Sequence, residues 1–237
     1  MLKFIIGFQR RKGMSRAECH KHLRTVHGPL VRSVPQFTRH VRGYVQNFAE
    51  AEIPGLHNPN YVADGAAELW FDDAGAFVTA YSEPIYLRDI RPDEANFTDP
   101  TRYVASFSKE SVAWADPAEA PYKLIRFLVE RPGSDPGRAA ANWQGPRKLA
   151  LASDPALRRL APRYVQSWSI PARENPFPLA ESFAVVDEFW FPSLQAAGEF
   201  AEAERIVDQS LALADTMDIA SAISLVVREG TVIERAT

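Results

Sequence analysis

The 237-residue sequence has few of the residues that build disulfides and metal centres. It contains one cysteine, Cys19, so no disulfide can form within the chain. None of its five histidines form a His-x-x-x-His pair, and a metal site needs several converging ligands. We therefore predict no metal centre, and the lone thiol is typical of a protein in the reducing cytoplasm.

Long apolar runs, excess positive charge and glycine-rich nucleotide motifs are also missing. No stretch approaches the ~18 residues that cross a bilayer, and the first strand-like run, at Leu2, leaves no room for a signal peptide. The 27 basic and 30 acidic residues give a net charge of −3, which argues against nucleic acid as a partner. Neither Gly-x-Gly-x-x-Gly nor Gly-x-x-x-x-Gly-Lys occurs, and we predict no cofactor. These absences predict a cytoplasmic protein with no membrane partner.

The sequence does contain an internal repeat. Two blocks recur, Tyr44-Val45-Gln46 as Tyr164-Val165-Gln166 and Glu68-Leu69-Trp70-Phe71 as Glu188-Phe189-Trp190-Phe191. Tyr164 lies 120 residues after Tyr44, and Glu188 lies 120 residues after Glu68. A spacing that stays constant over separate blocks indicates duplication of one domain. We predict two domains, residues 1–112 and 122–237, joined by a proline-stiffened linker over 112–121.

Hydrophobic periodicity predicts the same element order in both halves. In the first half it predicts strands at 2–9, 41–48, 65–71 and 101–108, and helices after residue 15 and over 74–87. Ser15 and Glu18 form a capping-box signature at the first helix, and Pro29 is predicted to end or kink it. The order β-α-β-β-α-β is that of a ferredoxin-like unit. We predict an α+β fold in which two such units close one barrel within the chain.

Three segments fall outside this plan and are predicted to be loops, at 49–63, 88–100 and 171–182. Long loops in compact domains often carry function, so these segments are candidate walls of a pocket.

Four blocks of the first half, in order, resemble the EthD family: Phe8–Ser15, His27–Val31, Tyr44–Asn47 and Asp64–Asp73. The resemblance covers nearly all of residues 1–112, and the second half resembles the family more weakly. There, Gln144-Gly145-Pro146 keeps the Gly-Pro pair of His27-Gly28-Pro29 without the imidazole. The resemblance implies a dimeric α+β barrel, here with a tandem pair in place of the usual homodimer. A monomeric barrel and a homodimer both remain open.

Residues present in one half only are the ones we predict to carry function. His27 is the candidate catalytic acid or base, because an unperturbed imidazole titrates near ~6.5. Asp64, which has Ala184 opposite it in the repeat, and Tyr44 are further catalytic candidates that would position His27 or the substrate. The alternatives are a helix-end histidine bound to a backbone carbonyl and a core tyrosine, the latter favoured by the equivalent Tyr164.

Five further residues are predicted to contact a substrate: Trp70, Glu68, Gln46, Tyr81 and Tyr86. A carboxylate beside Trp70 on an inward face could act as a base with a raised pKa. The repetition of the pair as Glu188 and Trp190 instead favours a structural role, such as an ion pair with an arginine across the sheets.

The resemblance implies a range of chemistry, from cofactor-free cyclases, monooxygenases and isomerases to haem-dependent enzymes. We predict a cofactor-independent enzyme that acts on a small hydrophobic, aromatic or enolisable molecule, as a lyase, isomerase or cyclase in secondary metabolism or xenobiotic catabolism. Two alternatives stay open, a cofactor-free monooxygenase of the anthrone type and a non-catalytic accessory protein that binds a small molecule. Haem ligation by His27 is an analogy that no other residue supports.

Overall fold

The computed structural model describes residues 1–51, 61–170 and 183–235. The first half contains β1 (Leu2–Arg10), α1 (Arg16–His22), π1 (Leu23–His27), α2 (Gly28–Arg32), α3 (Pro35–Thr38), β2 (Val41–Ala51), β3 (Gly65–Phe71), α4 (Ala74–Ser82), π2 (Tyr86–Ile90), α5 (Arg91–Glu94) and β4 (Thr98–Ala115). The second half contains β5 (Tyr122–Leu128), α6 (Pro136–Asn142), π3 (Trp143–Arg147), α7 (Lys148–Ser153), α8 (Pro155–Leu160), β6 (Arg163–Ser169), β7 (Val185–Phe191), α9 (Leu194–Ser210), a 3-10 turn (Leu213–Asp215) and β8 (Ile223–Ile233). Here π1, π2 and π3 are single π-helical turns. Within the described ranges, no helix is long and apolar enough to cross a membrane.

The strands close into one antiparallel barrel in the order β1-β3-β2-β8-β5-β7-β6-β4. In each half the first strand lies between the third and the fourth, so β1 pairs with β3 and β4 and β5 pairs with β7 and β8. The seams between the halves are β2–β8 and β4–β6. Closure leaves no strand edge unpaired. The predicted α+β fold with an antiparallel barrel is confirmed.

The barrel interior is apolar around a buried group of four charged residues. The Lys3 Nζ atom lies 2.7 Å from Glu68 Oε2 and 2.5 Å from Glu188 Oε2, and Lys123 pairs with the same two carboxylates. All four side chains are almost fully buried. Because a buried charge without a partner costs several kcal/mol, these cross-barrel pairs fix how the two halves meet. The ion pair expected for Glu68 is therefore made to lysines, not to an arginine.

The first helix starts as predicted and continues further than predicted. Ser15 caps α1 in a capping box with Glu18. Pro29, expected to end or kink the helix, lies in the first turn of α2, and the helical path runs on to Arg32. The helix can continue through Pro29 because this residue lies in the first turn of α2. At that position a backbone N–H would have no partner within α2, so the proline removes no hydrogen bond from it.

The segment after α4 also differs from its prediction. Residues 88–100, expected to be a loop, contain most of π2, all of α5 and the start of β4. The β4 strand extends to Ala115, into the predicted linker, because it pairs with β1 along its first part and with β6 along its second. Of the other two predicted loops, residues 52–60, with His57, and 171–182 lie outside the described residues.

Candidate active site

A cavity of about 520 Å³ lies between the helices and the sheet of the first half. Its walls are mostly apolar, with Phe4, Ile6 and Leu69 from the barrel strands and Phe77 from α4. Of its lining residues, Arg91, Ala95, Pro100 and Thr101 are exposed, so the cavity reaches solvent beside α5 and the start of β4. Its volume falls in the range of pockets that enclose small molecules.

His27, the last residue of π1, lines this cavity and is held by a carboxylate. Its Nδ1 atom lies 3.0 Å from Asp93 Oδ2. Asn96 Nδ2 and His22 Nε2 also donate to Asp93, at 3.0 and 2.9 Å from Oδ1. Burial acts to raise the pKa of Asp93, but the hydrogen bonds from His27, Asn96 and His22 outweigh it and hold that pKa well below its usual range. An ionised carboxylate on Nδ1 fixes the tautomer of the imidazole and leaves Nε2 as the ring nitrogen open to another partner.

Sequence reasoning missed Asp93. The side chains of Asp93 and His27 meet only because α5 packs against π1, and no spacing in the sequence encodes that contact. The one available signal was the cluster of acidic residues in a segment already predicted to wall the pocket.

A second carboxyl group, Glu94, lines the cavity from the end of α5. The hydroxyl of Tyr86 donates to Glu94 Oε1 at 2.9 Å. Burial raises the pKa of Glu94, and this outweighs the lowering effects of the Tyr86 hydrogen bond and of His27. Glu94 is therefore protonated over a wider pH range than an exposed glutamate.

Four tyrosines add hydroxyl groups to the lining: Tyr44, Tyr81, Tyr86 and Tyr103. Burial raises the pKa of each of them. Their hydroxyls stay uncharged at neutral pH and can donate hydrogen bonds. Three of the predicted site residues, Tyr44, Tyr81 and Tyr86, are thus placed in the same cavity as His27.

Asp64 lies elsewhere, and Asp93 replaces it as the partner of His27. The Asp64 carboxylate accepts from the backbone N–H of Arg10 at 2.9 Å, from the Arg10 guanidinium and from Arg16 Nε at 3.1 Å. Both carboxylate oxygens are therefore engaged in joining the end of β1 to α1. Asp64 is absent from the lining of the cavity.

Glu68 and Trp70 point to the opposite side of the sheet. Successive strand residues alternate between faces, so Leu69 lines the cavity while its two neighbours face the barrel interior. There Glu68 binds Lys3 and Lys123, and Trp70 Nε1 donates to Glu110 Oε2 at 3.0 Å. These contacts give them a structural role and take them out of the candidate site.

Gln46 links β2 to the π1 turn that carries His27. Its Nε2 donates to the Leu23 carbonyl and to the Tyr44 hydroxyl, each at 3.2 Å. In the second half Gln166 Nε2 makes the same two bonds, to the Trp143 carbonyl at 3.3 Å and to the Tyr164 hydroxyl at 2.7 Å. The repeated Tyr-x-Gln motif thus holds a π-helical turn against its sheet in both halves.

Arg147 occupies the place of His27 in the second half. π3 (Trp143–Arg147) lies 120 residues after π1 (Leu23–His27), the spacing of the strands. The predicted equivalence of Gly145-Pro146 with Gly28-Pro29 is therefore wrong, because these pairs are 117 residues apart and not 120. Pro146 lies inside π3.

The Arg147 side chain is completely buried in an ionic cluster. Its guanidinium binds Asp208 at 2.9 Å, Asp187 at 3.1 Å, Glu204, and the Tyr164 hydroxyl at 2.8 Å. By the same spacing of 120, Arg126 and Asp187 replace the cavity-lining Ile6 and Ala67. Charged side chains thus take the positions that face the cavity in the first half.

The described lining of the cavity carries few groups that could hold a metal ion or the carboxylates of a haem. Among the described residues, no group of three or more His, Cys, Asp or Glu side chains could hold a metal. Arg91 is the only arginine or lysine among the described lining residues, whereas a haem brings two carboxylates that need partners.

The fold and the cavity define an α+β barrel protein with a mostly apolar pocket between the helices and the sheet of its first half. Residues 11–101 match the family model of the EthD domain. The resemblance of the first half to the EthD family, predicted from the sequence, is thereby confirmed. The comparison with curated proteins gave no match.

Several solved structures share the fold at low sequence identity. A protein provisionally assigned as a monooxygenase, from Fusobacterium nucleatum, aligns with a TM-score of 0.59 and 10% identity over 100% of this chain and 95% of its own. A protein with the same provisional assignment, from Lactobacillus acidophilus, gives 0.52 and 10% over 98% of both chains. A chlorite dismutase mutant from Candidatus Nitrospira defluvii gives 0.55 and 12% over 98% and 91%. At these identities the similarity establishes the fold alone.

Proposed function

We propose that the protein is a cofactor-independent enzyme that moves protons on a small hydrophobic, aromatic or enolisable molecule. The observation that carries this proposal is the 3.0 Å contact of His27 Nδ1 with Asp93 Oδ2 at the wall of an apolar cavity. Asp93 would hold the imidazole in one tautomer, and Nε2 would take a proton from the substrate and return it. A positioned acid or base of this kind contributes about 10²–10⁴-fold in rate. The reaction would be of the lyase, isomerase or cyclase type.

A cofactor-free monooxygenase is the second candidate. The provisional assignment of two fold-similar proteins as monooxygenases favours it. In that reaction the same His27 would deprotonate a phenolic substrate, which would then react with O₂. Consumption of oxygen distinguishes it from proton transfer alone.

We further infer that the barrel arose by tandem duplication of a ferredoxin-like unit, with domains at residues 1–112 and 122–237. The identical strand order of the halves and the paired Tyr-x-Gln contacts support this inference. The first domain would carry the reaction, and the second would be its structural partner.

The proposal is tested by hydrogen exchange at carbon. The protein is incubated in D₂O with a panel of anthrones, naphthols and cyclic 1,3-diketones, and NMR measures deuterium uptake at their acidic carbons. We expect the wild type to accelerate exchange of at least one compound, and His27→Gln to reduce that acceleration about 100-fold or more. His40→Gln is the matched control, because His40 lies outside the cavity lining and contacts Glu83.

Two other outcomes of this experiment would favour the alternative functions. Oxygen uptake that depends on His27 would favour the monooxygenase. Binding of panel compounds without exchange or oxygen uptake, in wild type and His27→Gln alike, would favour the non-catalytic accessory protein and end the proposal of an enzyme.

A further inference from the structure

One carboxyl group of the cavity has no part in the pair formed by His27 and Asp93. Glu94 lines the cavity, and within the described residues the only hydrogen bond to its carboxyl group comes from the Tyr86 hydroxyl, at 2.9 Å to Oε1. A carboxyl group can make several hydrogen bonds. Oε2 is therefore available to a molecule in the cavity.

We propose that Glu94 and Tyr86 bind the oxygen atom of an uncharged aromatic ligand, a phenol or an enolisable ketone, and that Glu94 exchanges a proton with that oxygen. This inference rests on the proposed function only in taking the cavity as the substrate site. It adds the substrate class, and it adds a second catalytic residue to His27.

The charges around Glu94 favour a neutral ligand. The groups that face it are Asp93 and Arg91 on its own helix, His27 from π1, and the hydroxyls of Tyr86, Tyr44, Tyr81 and Tyr103 from π2, β2, α4 and β4. The ionised Asp93 lies directly behind the imidazole. A ligand carboxylate would approach two carboxyl groups, and the guanidinium of Arg91 is exposed. An uncharged ligand oxygen could instead form hydrogen bonds with the carboxyl group of Glu94 and the tyrosine hydroxyls.

The apolar walls specify the rest of the ligand. Phe4, Phe77 and Phe97 line the cavity with aromatic rings, and Tyr44 adds a fourth ring from β2. Aromatic rings pack against such surfaces with centroids a few ångströms apart. A flat aromatic molecule with one polar end therefore matches both parts of the lining.

His27 and Glu94 together would catalyse an enolisation in which one residue takes up a proton and the other releases one. His27 Nε2 takes the proton from the carbon next to the ketone, and the electron pair of that C–H bond forms the C=C bond. The π electrons of the C=O group take the proton of the Glu94 carboxyl, which gives a neutral enol. His27 is then protonated and Glu94 ionised, and the reverse transfers restore both residues.

The substrate class is tested by equilibrium dialysis with three probes of similar ring size, 2-naphthol, naphthalene and 2-naphthoate, at pH 7. We expect the wild type to bind 2-naphthol about tenfold more tightly than naphthalene, which corresponds to one hydrogen bond inside the cavity. We expect 2-naphthoate to bind more weakly than naphthalene. Equal binding of naphthol and naphthalene, or preferred binding of the carboxylate, would overturn the proposal.

Variants assign the preference to Glu94. Glu94→Leu should bind naphthol and naphthalene equally, whereas Glu94→Gln should keep the preference because an amide also donates and accepts. Glu83→Leu is the matched control, since Glu83 is paired with Arg39 outside the cavity lining. Circular dichroism checks that each variant folds. If Glu94→Leu does not fold, Tyr86→Phe should reduce the naphthol preference instead. An unchanged preference in the folded variant would overturn the assignment.

Proton exchange by Glu94 is tested separately from binding. Glu94→Gln should keep the affinity for the ketone probes of the D₂O assay while slowing their exchange at least tenfold, and unchanged exchange would end its role as an acid. The two proposals fail in different ways. If His27→Gln leaves exchange unchanged while Glu94→Leu abolishes the naphthol preference, the proposed function fails and the ligand class stands.

Discussion

Replacing Arg147 by leucine should lower the free energy of unfolding by about 3–5 kcal/mol at pH 7. The guanidinium is completely buried, with Nε 2.9 Å from Asp208 and Nη1 3.1 Å from Asp187, and it also pairs with Glu204. Leucine fills much of the volume but leaves three carboxyl groups without this cation. The cost of such uncompensated buried groups, rather than lost packing, sets the magnitude.

The pH dependence of this loss identifies its cause. Burial already raises the pKa of Asp187 and Glu204, and this outweighs the lowering effect of Arg147 on both. Removing Arg147 raises these pKa values further. A group whose pKa is higher in the folded state favours folding at low pH, and that contribution is lost as pH rises through the folded-state pKa. The destabilisation by Arg147→Leu should therefore be smaller at pH 5 than at pH 7.

Urea denaturation followed by far-ultraviolet circular dichroism at both pH values measures the effect. Arg205→Leu is the matched control, since Arg205 forms an exposed pair with Glu202 and should cost less than about 1 kcal/mol. If Arg147→Leu cannot be refolded, the double variant Arg147→Leu/Asp187→Leu should recover part of the stability. A loss below about 1 kcal/mol, or an equal loss at both pH values, would refute the reasoning.

Two further predictions concern the first half. Glu94→Gln should raise the midpoint of thermal unfolding, with a gain that grows from pH 5 to pH 8, because a raised pKa means that ionised Glu94 disfavours the folded state. A gain independent of pH would contradict that reason. Gln46→Leu should cost about 1–3 kcal/mol in urea denaturation, since it leaves the Leu23 carbonyl without its side-chain donor, and Gln166→Leu should cost a similar amount. A loss for only one of the two variants would show that the π-helical turns are held differently.

The fold followed from the sequence because its signals are local or repeated. The alternation of apolar residues predicted β3 with its observed bounds, and the Ser15–Glu18 pair predicted the start of α1. The barrel followed from the constant repeat spacing. The π1 and π3 turns could not be predicted, since the side chains that hydrogen-bond to them, Gln46 and Gln166, lie on other elements.

The candidate site followed only in part. His27 was predicted because it is the one histidine in the four blocks that resemble the EthD family. Its partner Asp93 comes from a segment that contains no recognisable motif. Asp64 was chosen because it occurs in one half only, but its carboxylate is engaged by Arg10 and Arg16. Occurrence in one half indicates a specific role and does not distinguish catalysis from a local ion pair.

The duplication inferred above would explain how the two halves could diverge in their buried chemistry. Two identical chains would have to carry the same residue at the positions of His27 and Arg147, and a change at one would change the other. In a tandem pair one half can keep an open, mostly apolar cavity while the other fills the equivalent positions with ion pairs. The ion pairs of Lys3 and Lys123 with Glu68 and Glu188 join the halves in the barrel interior, away from the positions of His27 and Arg147. Under the inferred duplication, the absence of a second imidazole is no sign of decay, because Arg147 at the equivalent position makes its own specific set of buried contacts.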